Sequence, residues 1–253
     1  MKIIFLGTNG WYTTSTGNTP SILIDSKDHY IVLDAGNGIY KLDKYILEEK
    51  PISLFVSHFH IDHVSGFHTL PKFNFLQGID IYIAEGRKKD FEILVNPPYT
   101  IGYLPNPKNI GNLRTEIRLH ELPDGISNIP FSVEPVEQFH AYRDHGYRFM
   151  LEGKIIAYSG DCGLSDGNLK LARSADILIH ESTTYDKPNN IWGHLDPVTV
   201  SKIAKEANVK KLILTHFDAS IYETLEKRKM AEKKAREIFP NTIAATDDLI
   251  IEV

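Results

Sequence analysis

The chemistry of this chain is concentrated in Ser57-His58-Phe59-His60-Ile61-Asp62-His63, which packs three imidazoles and a carboxylate into six positions. Neutral imidazole and ionised carboxylate are good ligands for a divalent ion of borderline softness. Four such groups buried together without partners would be costly. The spacing therefore points to a metal centre, with two metals side by side, in a hydrolytic enzyme. Three further donors follow later in the chain: His140, Asp161 in Ser159-Gly160-Asp161, and His216 in Thr215-His216-Phe217-Asp218.

Elements that could hold these donors are legible. Residues 52–56 read as a buried strand delivering the histidine-rich stretch, and a strand end is a rigid support for ligands. Residues 131–136, 154–158 and 211–214 read as strands preceding His140, Asp161 and His216, so all the donors would converge on one end of the sheets. Elsewhere, residues 2–6 form a buried strand entering a loop over 7–19, and 21–24 with 30–33 form a hairpin across a charged turn. Residues 39–48, 87–95 and 221–238 read as helices, as does 64–70, ended by Pro71. Asp196-Pro197 starts a helix running to about 207. Residues 79–83, 118–122, 147–151 and 177–180 are further strands, with a turn at Pro123-Asp124-Gly125. A closing hairpin is expected from 242–245 and 249–253 around Asp247-Asp248. Strands alternate with helices in both halves and no linker separates them. The expectation is one layered α/β domain over 1–253.

Composition narrows the classes. Lys and Arg number 28 against 33 Asp and Glu, a net charge of −5 that argues against nucleic-acid binding over the whole surface. One cysteine, Cys162, excludes an internal disulfide and suits a reducing compartment. The apolar start at residues 3–6 is too short for a signal peptide, and no 18-residue apolar run occurs, so a soluble cytoplasmic protein with no membrane partner is expected.

The full set of donors, in this order, resembles the metallo-beta-lactamase superfamily across almost the whole chain. Phe5-Leu6-Gly7-Thr8, Leu178-Ile179-His180-Glu181-Ser182-Thr183, His194 and Leu214-Thr215-His216 resemble its ribonuclease Z branch, which also contains small phosphodiesterases. The resemblance implies a four-layer αββα sandwich. It implies one metal held by His58, His60 and His140 and another by Asp62, His63 and His216, with Asp161 and a water or hydroxide bridging them. Zinc suits so nitrogen-rich a set, and manganese or iron is compatible with it. Asp62 would also orient the nucleophile or take its proton, and the Glu181–His194 pair would protonate the leaving oxygen. Glu181 alternatively fixes a ligand imidazole from behind.

The chain departs from tRNA-processing members in one place. They carry a long arm between the positions matching His140 and Asp161, where only 20 residues lie here. The first loop also lacks a basic proline-containing motif. Lys227, Arg228, Lys229, Lys233, Lys234 and Arg236 alternate with Glu223, Glu226, Glu232 and Glu237, the pattern of a solvated helix face with pairs such as Glu223 and Lys227. The substrate expected is a small or flexible phosphodiester, such as a cyclic nucleotide or a short nucleic-acid end. A lactone or thioester is the alternative, and a tRNA 3′-end endonuclease or a nonenzymatic nucleic-acid binder is less favoured. Residues 96–110, with four prolines, read as an ordered surface loop, of which 96–105 read as an aromatic and proline-rich substrate wall, as a dimer contact, since homodimers are common in the branch, or simply as a folded surface loop. Thr8, Asn9 and Asn18 read as substrate contacts or turn formers. His68 reads as packing or support for a ligand, and His120, His145 and His180 have no clear role. Cys162 shows no base partner.

Overall fold

The computed structural model describes residues 1–104, 113–123, 126, 129–142, 144–189 and 191–253. The strands are β1 (Lys2–Gly7), β2 (Asn9–Gly10), β3 (Ser21–Asp25), β4 (Tyr30–Leu33), β5 (Ile52–Phe55), β6 (Ile79–Ala84), β7 (Ile117–Leu122), β8 (Ser132–Gln138), β9 (Asp144–Leu151), β10 (Lys154–Tyr158), β11 (Ile177–Glu181), β12 (Lys211–Thr215), β13 (Phe217–Asp218), β14 (Thr242–Ala244) and β15 (Ile250–Glu252). The helices are α1 (Leu42–Tyr45), α2 (Ile61–Val64), α3 (Lys88–Leu94), α4 (Asp166–Ala172), α5 (Pro197–Glu206) and α6 (Leu225–Arg236). Among the described residues, one sheet runs β15-β1-β3-β4-β5-β6-β7 and a second runs β14-β12-β11-β10-β9-β8.

The alternation of side chains along each strand builds the layers. Ile3 and Phe5 of β1 face the space between the sheets, where they join Ile156, Tyr158, Ile179 and Ile213 of the second sheet. Ile4 and Leu6 point the other way, onto Ile39, Leu42, Val64, Phe67 and Phe91 of the first outer layer. Ala157, Leu178, Leu212 and Leu214 likewise face Val200, Ile203, Ala231 and Ala235 of α5 and α6. Three apolar interfaces between four layers make an αββα sandwich. Strands covered on both faces explain the unbroken apolar runs of the sequence. Among the described residues, no helix is long and apolar enough to cross a membrane.

The caps behave as their residue types require. Asp196 Oδ1 accepts from Val198 N and Thr199 N at the start of α5, and Thr224 Oγ1 accepts from Lys227 N at the start of α6. That cap shortens the helix expected from 221, because Ile221 N and Tyr222 N instead close a turn onto Asp218 O. The helix expected over 39–48 is a 3₁₀ turn (Asn37–Lys41) followed by the single turn of α1. The helix expected from 64 begins earlier, inside the histidine-rich stretch, and continues as a 3₁₀ segment (Ser65–Lys72) that contains Pro71 rather than ending at it.

The closing hairpin is not formed. β14 pairs in parallel with β12, whereas β15 pairs antiparallel with β1 in the other sheet. Ala245 N donates to Leu214 O and Asp248 N donates to Phe5 O, so the chain changes sheets within four residues. Asp247, expected to close a turn, instead accepts from Thr8 Oγ1, Asn18 N and Lys41 Nζ. Between His140 and Asp161, β9 and β10 form a hairpin turning at Glu152 and Gly153. Of the turn expected at Pro123-Asp124-Gly125, Asp124 and Gly125 lie outside the described residues, as do 105–110 of the expected proline-rich loop.

Candidate metal centre

All seven expected ligands meet at one end of the two sheets. His58 follows β5, Asp62 and His63 lie in α2, His140 follows β8, Asp161 follows β10 and His216 follows β12. They form two groups, His58, His60, His140 and Asp161 on one side and Asp62, His63 and His216 on the other, each with donor atoms within 4.8 Å of one another. Asp161 faces both. Its Oδ1 lies 3.2 Å from His216 Nε2 and 3.4 Å from His63 Nε2. Its Oδ2 lies 3.7 Å from His58 Nε2 and 3.9 Å from His140 Nε2.

The side chains behind the ligands fix which ring nitrogen faces inward. His63 Nδ1 donates to Asp34 Oδ2 at 2.8 Å. Asp34 is buried and also accepts from Ser57 N, Ser57 Oγ and Tyr158 Oη. His216 Nδ1 donates to Thr183 Oγ1 at 2.9 Å, whose hydroxyl donates to Glu181 Oε2 at 2.6 Å. His140 Nδ1 donates to Gly193 O at 3.1 Å. Asp144 Oδ2 lies 2.7 Å from His58 Nδ1. Asp62 Oδ2 accepts from Trp11 N at 2.7 Å. Buried ligand imidazoles oriented from behind by a carboxylate, a hydroxyl or a carbonyl are the arrangement that metal sites use.

This arrangement fits a pair of cations. With Nδ1 committed as donor, a neutral His63 and a neutral His216 present lone pairs on Nε2, and those atoms face each other at 3.0 Å. His140 Nε2 lies 3.1 Å from His60 Nδ1. Lone pairs so placed repel unless positive charge lies among them. His58 Nε2 and Asp161 Oδ1 are buried without a hydrogen-bond partner among the described residues, a state that is expensive unless a cation is bound.

The electrostatics agree. Burial and the neighbouring imidazoles lower His58 to about 3 and His60 to about 4, leaving both rings neutral and ready to ligate. Burial opposes ionisation of Asp62 and Asp161, but the surrounding histidines outweigh it and lower both carboxyls. Burial and nearby Asp161 push the Asp144 carboxyl well up. Asp161, Asp34 and Asp62 overcome the burial of His63 and raise it well above the usual imidazole range. A pocket that draws a proton onto His63 so strongly is a pocket short of positive charge.

Backbone strain occurs in the same place. His216 and Asp34 adopt φ of 53° and 59°, a region that costs non-glycine residues energy and recurs at functional sites. Gly10 of β2 lies against the His216 ring, where a Cβ would fall 2.5 Å from the nearest ring atom, so only glycine permits this approach.

Glu181 and His194 lie beside the centre. Glu181 is fully buried, accepts from Thr183 N and Leu195 N, and has Oε1 3.5 Å from His194 Nδ1. The His194 ring is 5.1 Å from that of His140 and 6.0 Å from that of His216, centroid to centroid. Burial alone would lower His194, but the Glu181 carboxylate and Asp161 raise it to about 9. One Glu181 oxygen reaches His216 through Thr183 and the other faces His194.

Two recesses open onto the centre. The first, of about 610 Å³, is bounded by Trp11, Asp62, His194, Trp192 and Ile221. The second, of about 470 Å³, is bounded by Phe59, Ile93, Leu94, Tyr99 and Tyr142, and His60 and Ile61 border both. Tyr99 thus lines a recess, as expected of a substrate wall. Thr8 and Asn9 do not. They are buried and receive hydrogen bonds from Arg228, which is 1% exposed and stacks on Phe217. Arg228 therefore departs from the solvated face expected for its helix. His68 is exposed, its Nδ1 donating to Ser65 O, and His120 pairs with Asp80. Cys162 Sγ does have a base neighbour, His180 Nε2 at 3.6 Å, but burial pushes the thiol pKa well up and leaves it a packed neutral group. Asp34, Asp144 and Thr183 are the supporting residues that the sequence did not single out. The only local sign of the first is an aspartate directly after the all-apolar strand β4.

A family model described as the beta-lactamase superfamily domain matches residues 29–217, the span that contains every candidate ligand. The ribonuclease Z of Enterococcus faecalis is 28% identical over 307 aligned positions, covering 100% of this chain and 97% of that protein. The alignment exceeds the 253 residues of this chain, so that relative carries segments absent here. Among solved structures, the metallo-beta-lactamase fold protein YhfI of Bacillus subtilis superposes with a TM-score of 0.76 at 23% identity, covering 99% of each chain. The short form of human tRNase Z superposes with a TM-score of 0.73 at 24% identity, covering 100% of this chain and 99% of that one.

Proposed function

The chain belongs to the beta-lactamase superfamily, and on that premise we propose that it is a hydrolase with a dinuclear metal centre that cleaves small or flexible phosphodiesters, working as one domain over residues 1–253. His58, His60 and His140 would hold one divalent ion and Asp62, His63 and His216 the other, with Asp161 facing both sets. Two such ions, zinc being the best match to the donors, acidify water and offset negative charge on the reacting phosphoryl group.

The chain's own residues do the rest. Asp62 Oδ2, steadied by Trp11 N, is the carboxylate placed to orient the attacking water. As water oxygen joins phosphorus and the bond to the leaving oxygen breaks, that oxygen needs a proton. His194 supplies it from Nε2, since Nδ1 is turned to Glu181. The carboxylate keeps the ring charged at neutral pH, as a general acid requires. The pair of buried Glu181 and half-buried His194 at the edge of the centre is the observation that favours phosphodiesters. Among the described residues lining the two recesses there is no Lys or Arg, which favours a lactone or thioester as the second reading and disfavours a tRNA body. The reducing cytoplasm is the compartment that suits a buried, unpaired Cys162.

The test is a panel of bis-p-nitrophenyl phosphate, cyclic nucleotides, an acyl lactone and a thioester, with metal analysis before and after chelation. We expect turnover of the diesters and two metals per chain. Faster turnover of lactone or thioester would replace this reading with the second. H194A should lower turnover of diesters with poor leaving groups by about 10²–10⁴-fold while both metals stay bound. Unchanged turnover would remove the proton-donor role.

A further inference from the structure

The second recess is built unlike the first. Its walls are Phe59, Ile61, Ile93, Leu94, Tyr99 and Tyr142, and it reaches the centre directly because His60 belongs to both. Ile61 and Tyr99 are 63% and 68% exposed, and Ile93 is also exposed, so a contiguous apolar surface stands open beside the candidate ligands. Such a patch marks a binding surface. The charged groups here are already engaged: Arg87, beside the recess, bonds the lining Asp90 at 3.1 Å and stacks on the Tyr142 ring at 4.4 Å. The Tyr142 ring in turn lies 6.2 Å from that of His60. No lining cation is left to hold a second phosphate, while a volume of about 470 Å³ holds an aromatic ring system.

We infer that this recess binds a flat, uncharged aromatic group ester-linked to the reacting phosphate. That group is the one retained after cleavage, because His194 and Trp192 occupy the other recess, on the leaving side. The inference rests on the phosphodiesterase reading and deepens it: the substrate carries one anionic group at the centre and an aryl or nucleobase arm over Ile61. Tyr99 is the specificity residue. It stands on a loop, and its exposed ring is free to stack.

The experiment compares bis-p-nitrophenyl phosphate with ethyl p-nitrophenyl phosphate, which share a leaving group and differ in the retained one. Y99A should raise KM about tenfold for the bis-aryl diester, leave kcat unchanged, and leave both constants unchanged for the ethyl diester. Y99F, which keeps the ring, should behave as wild type. The Ki of the product p-nitrophenyl phosphate should rise about tenfold in Y99A. Equal changes for both diesters, or none, would overturn the inference. If wild type cleaves thioesters and no diester, the phosphodiesterase reading fails by itself. The recess is then judged by phenylacetyl against acetyl thioesters, where an equal response to Y99A rejects the aromatic arm.

Discussion

The two halves of the centre are built to different standards. Around Asp62, His63 and His216 every candidate ligand is nearly or fully buried and gripped from behind: Trp11 N holds Asp62, Asp34 holds His63, and Thr183 with Glu181 holds His216. Around His58, His60 and His140 the grip is uneven. His58 has Asp144 behind it, but His140 relies on one backbone carbonyl, and His60 is exposed between the two recesses. The lesson is that ligand identity and ligand support are separate properties, and that support decides which ion is kept. The half around His58, His60 and His140 is the more open one, and the half around Asp62, His63 and His216 is the closed one.

The largest effect should come from erasing the distinction. Asp161→Ala removes the one side chain common to both halves, and kcat/KM should fall by at least about a thousandfold, since the centre supplies several kcal/mol. Metal content should fall with it, as read by elemental analysis of dialysed protein. A variant that kept two ions and most of its activity would break the scheme. Thr183→Val sharpens the comparison: cutting the bond behind His216 should weaken the closed half by about 10–100-fold in metal affinity, with Thr183→Ser restoring it. Competition with a graded chelator gives the order in wild type, where one ion should leave before the other. In His60→Ala only the tightly held ion should remain. Loss of both ions together in wild type would make the halves equivalent.

The smallest effect is a control outside both halves. Asp80 on β6 is bonded by Arg118 and His120 on β7. Burial opposes its ionisation, but these partners lower its pKa. A lowered carboxylate adds stability above its unfolded pKa of about 3.9 and loses it as pH falls through the folded value. Asp80→Asn should therefore cost about 0.5–1 kcal/mol at pH 7, partly exposed as the group is, with the gap to wild type closing below about pH 4 in urea melts. Metal content should not move.

The candidate ligands were legible in the sequence because they cluster by type at or just beyond the ends of readable strands, and strand ends gather by topology. Their supports were not, because Asp34, Asp144 and Thr183 look like ordinary loop and strand-edge polar residues until the sheets bring them against a ring. Arg228 was hidden by its neighbours: the buried face of α6 is otherwise Ala231 and Ala235, nine of its twelve residues are exposed or half-buried, and nothing local marks the arginine that turns inward. Asp247-Asp248 misled for the opposite reason. It carries good turn chemistry, but the strands on either side have better partners in different sheets, and register between distant strands is invisible to local reading.

The clasp at Asp247 also imposes a timetable. Thr8 and Asn18 are made early relative to the carboxylate that fastens their loop, which follows 239 residues after Thr8. Until it has emerged from the ribosome, the loop that carries Trp11 to Asp62 lacks one of its fastenings. The nascent chain thus holds all its histidines before it can work, and chains stalled short of residue 247 should bind metal without turning over substrate.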